Sequence, residues 1–337
     1  MKRFPPFLFA LVLLLGACNL APSPVPTPSA TATFPAPVTL VPFDTPGTND
    51  YGALARNYLK ALTDFGPRLA GSPVEAQAAQ YIADVFSGFA YQTEQWTFTA
   101  ADDSGQLITS ANVVAVKSGR STQELIVGAH YDSGGDGTGA DDNASGVAVM
   151  LEAAELVKNA STPYTIRFIA FGAEEAGLLG SYAYLDQMSQ SDLENTVAMI
   201  NLDSVSAGDV AYVYGDERQS ALRDWTLEWA FGNGYDLQTI RNVDLTEEDG
   251  NGTSDYAAFH DAGIPFLYFE ATNWSLGDQD GYTQVDPQFG DHGKIWHTRY
   301  DTLEYLDTTF PGRVDQHLDL FVNVLYNILT QYEAPTQ

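Results

Sequence analysis

One cysteine in 337 residues excludes a disulfide within the chain, so packing and hydrogen bonds must hold it together. Basic side chains are scarce: 15 Lys and Arg against 44 Asp and Glu give a formal charge of −29 at pH 7. Such a surface repels nucleic acid and anionic lipid headgroups and attracts cations, metal ions included. Long apolar runs are missing too. The most apolar stretch, Phe7–Leu15, falls well short of the roughly 20 residues a membrane span requires. There is no G-x-S-x-G elbow, and Cys18 lies far from the folding part of the chain, so covalent serine or cysteine catalysis lacks a candidate.

The chain opens with Lys2 and Arg3, the apolar Phe7–Leu15, and the small-residue exit Leu15-Gly16-Ala17-Cys18, which reads as a secretory signal peptide over residues 1–17. Residues 20–48 are Pro, Thr, Ser and Ala with almost no charge, a composition that forms an extended tether instead of a core. The segment LLGAC resembles the lipobox of bacterial lipoproteins, which implies a diacylglyceryl group on Cys18, a membrane held through that lipid, and an extracytoplasmic location. An unlipidated secreted protein is the alternative. Removal of residues 1–17 takes away Lys2 and Arg3 and no acids, moving the charge from −29 to −31. The three expected parts are therefore a leader (1–17), a tether (18–48) and one large domain (49–335), with no obligate protein partner evident.

Within that domain, apolar β-rich runs alternate with helical segments. Residues 110–119, 124–130, 164–172, 196–203, 209–215 and 264–270 read as strands, the first closing a hairpin that begins near Tyr91. Their near-continuous apolarity predicts strands buried on both faces. Helices are expected over Tyr51–Leu62, Val74–Phe86, Asn143–Asn159 and Pro311–Leu329. The pattern predicts an α/β fold, a three-layer α/β/α sandwich with a mostly parallel central sheet.

Two histidines and five carboxylates then fall at telling places. His130 ends one strand, Glu174 and Glu175 follow another, Asp203 ends a third, and in open α/β sheets ligand sites lie beyond the carboxyl ends of strands. His297 lies in a loop-rich stretch, where such folds place further site residues. Asp132, two residues past His130, can orient the imidazole, as a carboxylate commonly does for a metal-bound histidine. Asp142 in GADDNASG can bridge two cations, with Asn143 or Ser145 left to cap the following helix, although spacing alone does not choose between Asp141 and Asp142. One of Glu174 and Glu175 can hold metal while the other takes a proton from water. The run Gly135-x-Gly137-x-x-Ala140 matches a relaxed dinucleotide fingerprint, but Asp136, Asp141 and Asp142 would face the pyrophosphate, so its glycines are read as shaping a sharp loop.

Taken in order, FGPRLAGSPVE, HYDS, GADDNASG, AEEAGLLGS, NLDS, SDYAAFHDAGIP and WHTRYDT resemble the M28 zinc metallopeptidases, a family of di-zinc aminopeptidases, from about Gly66 to the final helix. The resemblance implies the phosphorylase/hydrolase-like sandwich, two Zn2+ per chain, and peptide substrates with a free N-terminus. It implies that Asp142 bridges the zinc ions, that His130 and Asp203 complete one site, and that Glu175 and His297 complete the other. Glu174 would be the general base and Asp132 the partner of His130. The Trp296-His297-Thr298 run is also similar to glutaminyl cyclases, single-zinc relatives, and a carboxypeptidase of the same family is a further alternative. A weaker likeness links FEATNWSLGDQDGYTQ (269–284) to the alkaline phosphatase isozyme conversion aminopeptidases, which implies removal of N-terminal arginine. The carbonyl-polarising tyrosine of some relatives has no counterpart near Gly250–Ser254, leaving Tyr282 or Tyr256 as substitutes. Asp278, Asp280 and Asp286 form a candidate Ca2+ site that falls short of an EF-hand loop, with a solvated turn as the alternative.

Overall fold

The computed structural model of the protein describes residues 51–216, 219–240, 253–279 and 281–335. The leader and tether expected over residues 1–48 lie outside them. Among the described residues no helix is long and apolar enough to cross a membrane.

Among the described residues seven strands form one sheet: β1 (Gln92–Ala101), β2 (Leu107–Lys117), β3 (Glu124–His130), β4 (Thr165–Phe171), β5 (Thr196–Leu202), β6 (Val210–Gly215) and β7 (Phe266–Thr272). Their order is β1-β2-β4-β3-β5-β7-β6. The four central strands β4, β3, β5 and β7 run parallel, while the β1–β2 hairpin and β6 close the edges antiparallel. The apolar run 209–215, expected among central strands, is thus an edge strand. Its apolarity has another cause: side chains of β6 are buried beneath helix α6 (Ala221–Gly232) on one side and among the aromatic rings of Tyr214, Tyr268 and Trp274 on the other.

Helices α1 (Ala53–Thr63), α2 (Pro73–Gly88), α3 (Gly146–Val157) and α9 (Arg313–Gln331) share a core with one face of the sheet. Helices α4 (Leu179–Leu185), α5 (Gln190–Asn195) and α7 (Tyr256–Asp261) cover the other, where Phe171, Tyr184 and Phe259 cluster. α8 (Leu303–Thr309) leads into α9. The alternation along β3 explains the layering: Leu125, Val127 and Ala129 face one core while Ile126 faces the other. Gly128 continues the second face, where an added Cβ would lie 2.4 Å from the Phe171 ring and 2.8 Å from the Met199 methyl. Only glycine lets β3 sit under those two side chains.

One helix start differs from expectation. Asp142 and Asn143 have non-helical dihedrals inside an irregular turn over Ala140–Ser145, and α3 begins at Gly146. The Asn143 side chain accepts from Gly146 N at 2.9 Å and donates to Leu202 O at 2.8 Å, so it caps α3 while tying the turn to the end of β5.

Candidate metal centre

Because β4, β3 and β5 are parallel neighbours, their C-terminal ends meet at one edge of the sheet. His130 is the last residue of β3, Glu174 and Glu175 follow β4 by three and four positions, and Asp203 follows β5 directly. The turn before α3 delivers Asp142, and the loop between β7 and α8 delivers His297.

The distances are short and divide in two. His130 Nε2 lies 3.1 Å from Asp142 Oδ1 and 3.3 Å from Asp203 Oδ1. His297 Nε2 lies 3.1 Å from Asp142 Oδ2 and 2.6 Å from Glu175 Oε2. Each oxygen of Asp142 therefore faces a different histidine. The groups His130–Asp142–Asp203 and Asp142–Glu175–His297 each place their donor atoms within 4.8 Å of one another, close enough to hold a metal ion. Glu174 Oε2 lies 3.9 Å from His130 Nε2, and His130, Glu174 and Glu175 form a third group that meets the same distance.

Asp132 is fully buried and its carboxylate does two jobs. Oδ1 approaches His130 Nδ1 at 3.4 Å, long for a hydrogen bond but on the ring's far side from Asp142. The same oxygen accepts from Glu174 N and Oδ2 accepts from Glu175 N, both at 3.1 Å. One side chain thus clamps the turn bearing both glutamates and lies beside the imidazole of His130. Glu75, from α2, supports that turn from the other side by accepting from Ala173 N at 3.0 Å. Three residues at or beside the site, Ala173, Ser204 and His297, hold left-handed backbone at φ 54, 48 and 58. Non-glycine residues stay there, at a cost on the order of 1–3 kcal/mol each, only where their surroundings hold them.

The structure also separates the paired aspartates. Asp141 Oδ1 accepts from Ser206 N, Ser206 Oγ and Ala207 N at 2.8–2.9 Å, and Oδ2 accepts from Gln284 Nε2 at 2.6 Å. It is spent on the loop after β5, while Asp142 points at the histidines. Asp301 secures both from behind, accepting from Asp141 N at 2.6 Å and from Asp142 N at 3.1 Å. The glycine run has a steric role: a Cβ on Gly134 would lie 2.7 Å from Glu175 Oε2, and one on Gly135 (φ 68) would lie 2.4 Å from His297 O. Glycine is required because two site residues rest directly on that backbone.

So many acids in a buried space disturb their protonation. Burial, reinforced by neighbouring acids, holds Glu174 well above the ordinary carboxylate range. Burial and Asp142 push Glu175 up to about 7. Burial would raise Asp142, but its hydrogen bonds to His130 and His297 outweigh that and hold it low. Burial alone would lower both histidines, yet the carboxylates raise His130 well above its usual value and His297 to about 10. The acids call for positive charge, and protons on the imidazoles supply part of it. Imidazole and carboxylate donors in this number suit divalent cations, which satisfy the same acids without protonating their ligands.

Arg68, Glu75, Gln284 and Asp301 fall inside FGPRLAGSPVE, FEATNWSLGDQDGYTQ and WHTRYDT, but nothing local in those motifs shows what their side chains contact. The Arg68 guanidinium, fully buried, donates to Tyr131 O at 2.7 Å, Thr138 O at 2.6 Å and Gly139 O at 2.9 Å, pinning the loop after β3. Of the two candidate tyrosines, Tyr256 is buried against Phe266 and Tyr268, away from solvent. Tyr282 instead packs near Trp296, whose ring lies 4.6 Å from that of His297. Asp280 of the candidate calcium turn lies outside the described residues, and Asp286 Oδ1 accepts from Gln288 N at 2.9 Å, as in an ordinary turn.

The model of the family described as Peptidase family M28 matches residues 112–322. The chain is 35% identical over 297 residues to the alkaline phosphatase isozyme conversion protein of Escherichia coli, covering 79% of this chain and 86% of that one. It is 32% identical over 244 residues to an aminopeptidase of Bacillus subtilis, covering 67% of this chain but only 46% of the relative. Among solved structures, a zinc aminopeptidase from Bacillus subtilis superposes with a TM-score of 0.67 at 20% identity, over 85% of this chain and 97% of that one. At that identity the superposition speaks for the fold.

Proposed function

The chain belongs to peptidase family M28, and from that premise we propose that it is a di-zinc aminopeptidase that removes N-terminal residues from peptides. The observation that carries this reading is the division of Asp142 between two histidines, each backed by a further carboxylate. His130 and Asp203 would hold one zinc ion, Glu175 and His297 the other, with Asp142 shared. Zinc bound there supplies Lewis-acid polarisation of the scissile carbonyl and lowers the pKa of the attacking water. Glu174 takes the proton of that water and passes it to the departing amine as the peptide C–N bond breaks. Asp132 keeps His130 Nε2 turned toward Asp142 and fixes the backbone from which Glu174 projects.

The charges around the site favour an amine over a carboxylate at the substrate's terminus. Among the described residues two basic side chains, Arg68 and Lys294, are close enough to feel Asp142. Arg68 is committed to backbone carbonyls, and the Lys294 ammonium is stacked 3.7 Å from the centre of the Trp296 ring. Against them stand Glu174, Asp255 and Glu270, all beyond the ligand set and all sensing Asp203. Burial holds all three toward the protonated form, and an α-ammonium placed beside them would favour their ionisation, whereas a substrate carboxylate would oppose it. We further propose that residues 1–17 are a leader and that lipid on Cys18 holds the enzyme to a membrane through the 18–48 tether.

A panel of aminoacyl-nitroanilides and Gln-initiated peptides, with and without chelator and zinc, tests the reading. Chelator-sensitive release of nitroaniline supports it. Cyclisation of Gln-peptides without cleavage, or activity confined to free C-termini, refutes it.

A further inference from the structure

Gln284 lies in the long loop between β7 and α8, is 1% exposed, and makes three hydrogen bonds through its side chain. Nε2 donates to Asp141 Oδ2 at 2.6 Å, and Oε1 accepts from Ile295 N and Trp296 N, both at 2.9 Å. Its main chain joins the same region: Gln284 N donates to Gly293 O, and Gln284 O accepts from Asp209 N, each at 2.9 Å. The amide therefore connects three segments that carry the site: the turn with Asp142, the loop after Asp203, which Asp141 holds through Ser206 and Ala207, and the strap that ends in His297.

The contact suits an amide. Asp141 offers only lone pairs and the strap offers only N–H groups, so the connector must donate on one side and accept on the other. His297 itself is 39% exposed at its side chain and has left-handed backbone, a conformation that persists only where neighbouring segments hold it. The two N–H groups fixed by Gln284 belong to the two residues immediately before it.

We propose that Gln284 is a positioning residue that sets His297 against Asp142, and so governs metal binding at the Asp142–Glu175–His297 group while leaving the His130–Asp142–Asp203 group intact. This rests on the di-zinc reading above. The polarity of the contact gives a reversible perturbation. Gln284→Glu keeps the acceptor for Ile295 N and Trp296 N but sets a carboxylate against Asp141. Adding Asp141→Asn restores the hydrogen bond with donor and acceptor exchanged, and its carbonyl oxygen can still accept from Ser206 and Ala207.

The experiment is zinc titration of the metal-free protein against a competing chelator, for the wild type, Gln284→Glu, Gln284→Glu/Asp141→Asn and His297→Ala. The wild type binds two zinc ions; binding of one or none would overturn the di-zinc reading itself. In Gln284→Glu one affinity falls about 10–100-fold, the range for loss of a supporting hydrogen bond, and the other changes less than about 3-fold. The weakened site is the one that His297→Ala removes, and the double variant recovers most of the loss. Two unchanged affinities, two equally weakened ones, or a double variant no better than the single would overturn the positioning role. Should Gln284→Glu fail to fold, amide exchange in the metal-free wild type decides: Ile295 and Trp296 N–H groups are protected, and exchange at the rate of an open loop refutes the contact.

Discussion

Replacing Arg68 with methionine probes how the scaffold is held, since the Arg68 side chain hydrogen-bonds to backbone carbonyls and to no site side chain. Its guanidinium serves three carbonyls well: Tyr131 O, Thr138 O and Gly139 O. Gly139 O keeps a second donor, Ala144 N at 3.0 Å, so the substitution strands two acceptors, Tyr131 O and Thr138 O. Tyr131 O, stranded and buried, costs about 1–3 kcal/mol, and the part-buried Thr138 O costs less. Loss of the cation also removes a counter-charge to Asp301, Asp132, Asp142 and Glu175. Opposing this, methionine is relieved of the desolvation that pulls the guanidinium down to about 10. The net is a loss of about 3 kcal/mol in the metal-free protein. At roughly 2–4 °C per kcal/mol for a domain of this size, Tm falls by about 6–12 °C. Thermal unfolding should be followed by circular dichroism in excess chelator, because bound metal would mask the change. Arg68→Lys should fall between the two, as one ammonium cannot reach all the carbonyls in the same geometry. A methionine variant melting within about 2 °C of wild type would refute the idea that this guanidinium holds the loop.

Glu174→Gln should keep its zinc, measured by atomic absorption, yet lose about 10²–10⁴ in kcat, the usual contribution of a general base; a fully active variant would remove Glu174 from that role. Asp132→Asn should weaken zinc binding by about 10–100-fold, because an amide serves the His130 ring less well and cannot accept equally from Glu174 N and Glu175 N. Unchanged affinity in competition titrations would count against it. The metal-free protein should lose stability as pH rises from about 5 to 8. Burial, aided by Asp132, pushes Glu75 up to about 7, and burial does the same to Asp255. The unfolded chain ionises these acids near pH 4, so between the two values it releases protons that the folded state retains, and rising pH favours unfolding. A Tm in chelator that climbs across that window would contradict the sign.

The strand ends were legible because the apolar runs before His130, before Glu174 and up to Asp203 are local patterns, and parallel packing carries their ends to one edge. The glycine run was legible as a tight loop, though not its reason, since Gly135 yields to the backbone of His297, 162 positions away. The edge position of β6 was hidden because its apolarity answers to α6 and the aromatic rings, and a run buried by a helix reads the same as one buried by neighbouring strands.

By itself the sequence determined the kind of chemistry: imidazoles and carboxylates at strand ends, few cations, and no nucleophile elbow. The tertiary structure decided which aspartate faces both histidines, since Asp141 and Asp142 are adjacent and differ only in what reaches them. Gln284, Ser206 and Ala207 take the first, 143, 65 and 66 positions away, leaving the second to the site. Hydrogen bonds across such separations have no local period, so they exist only once the chain has closed on itself.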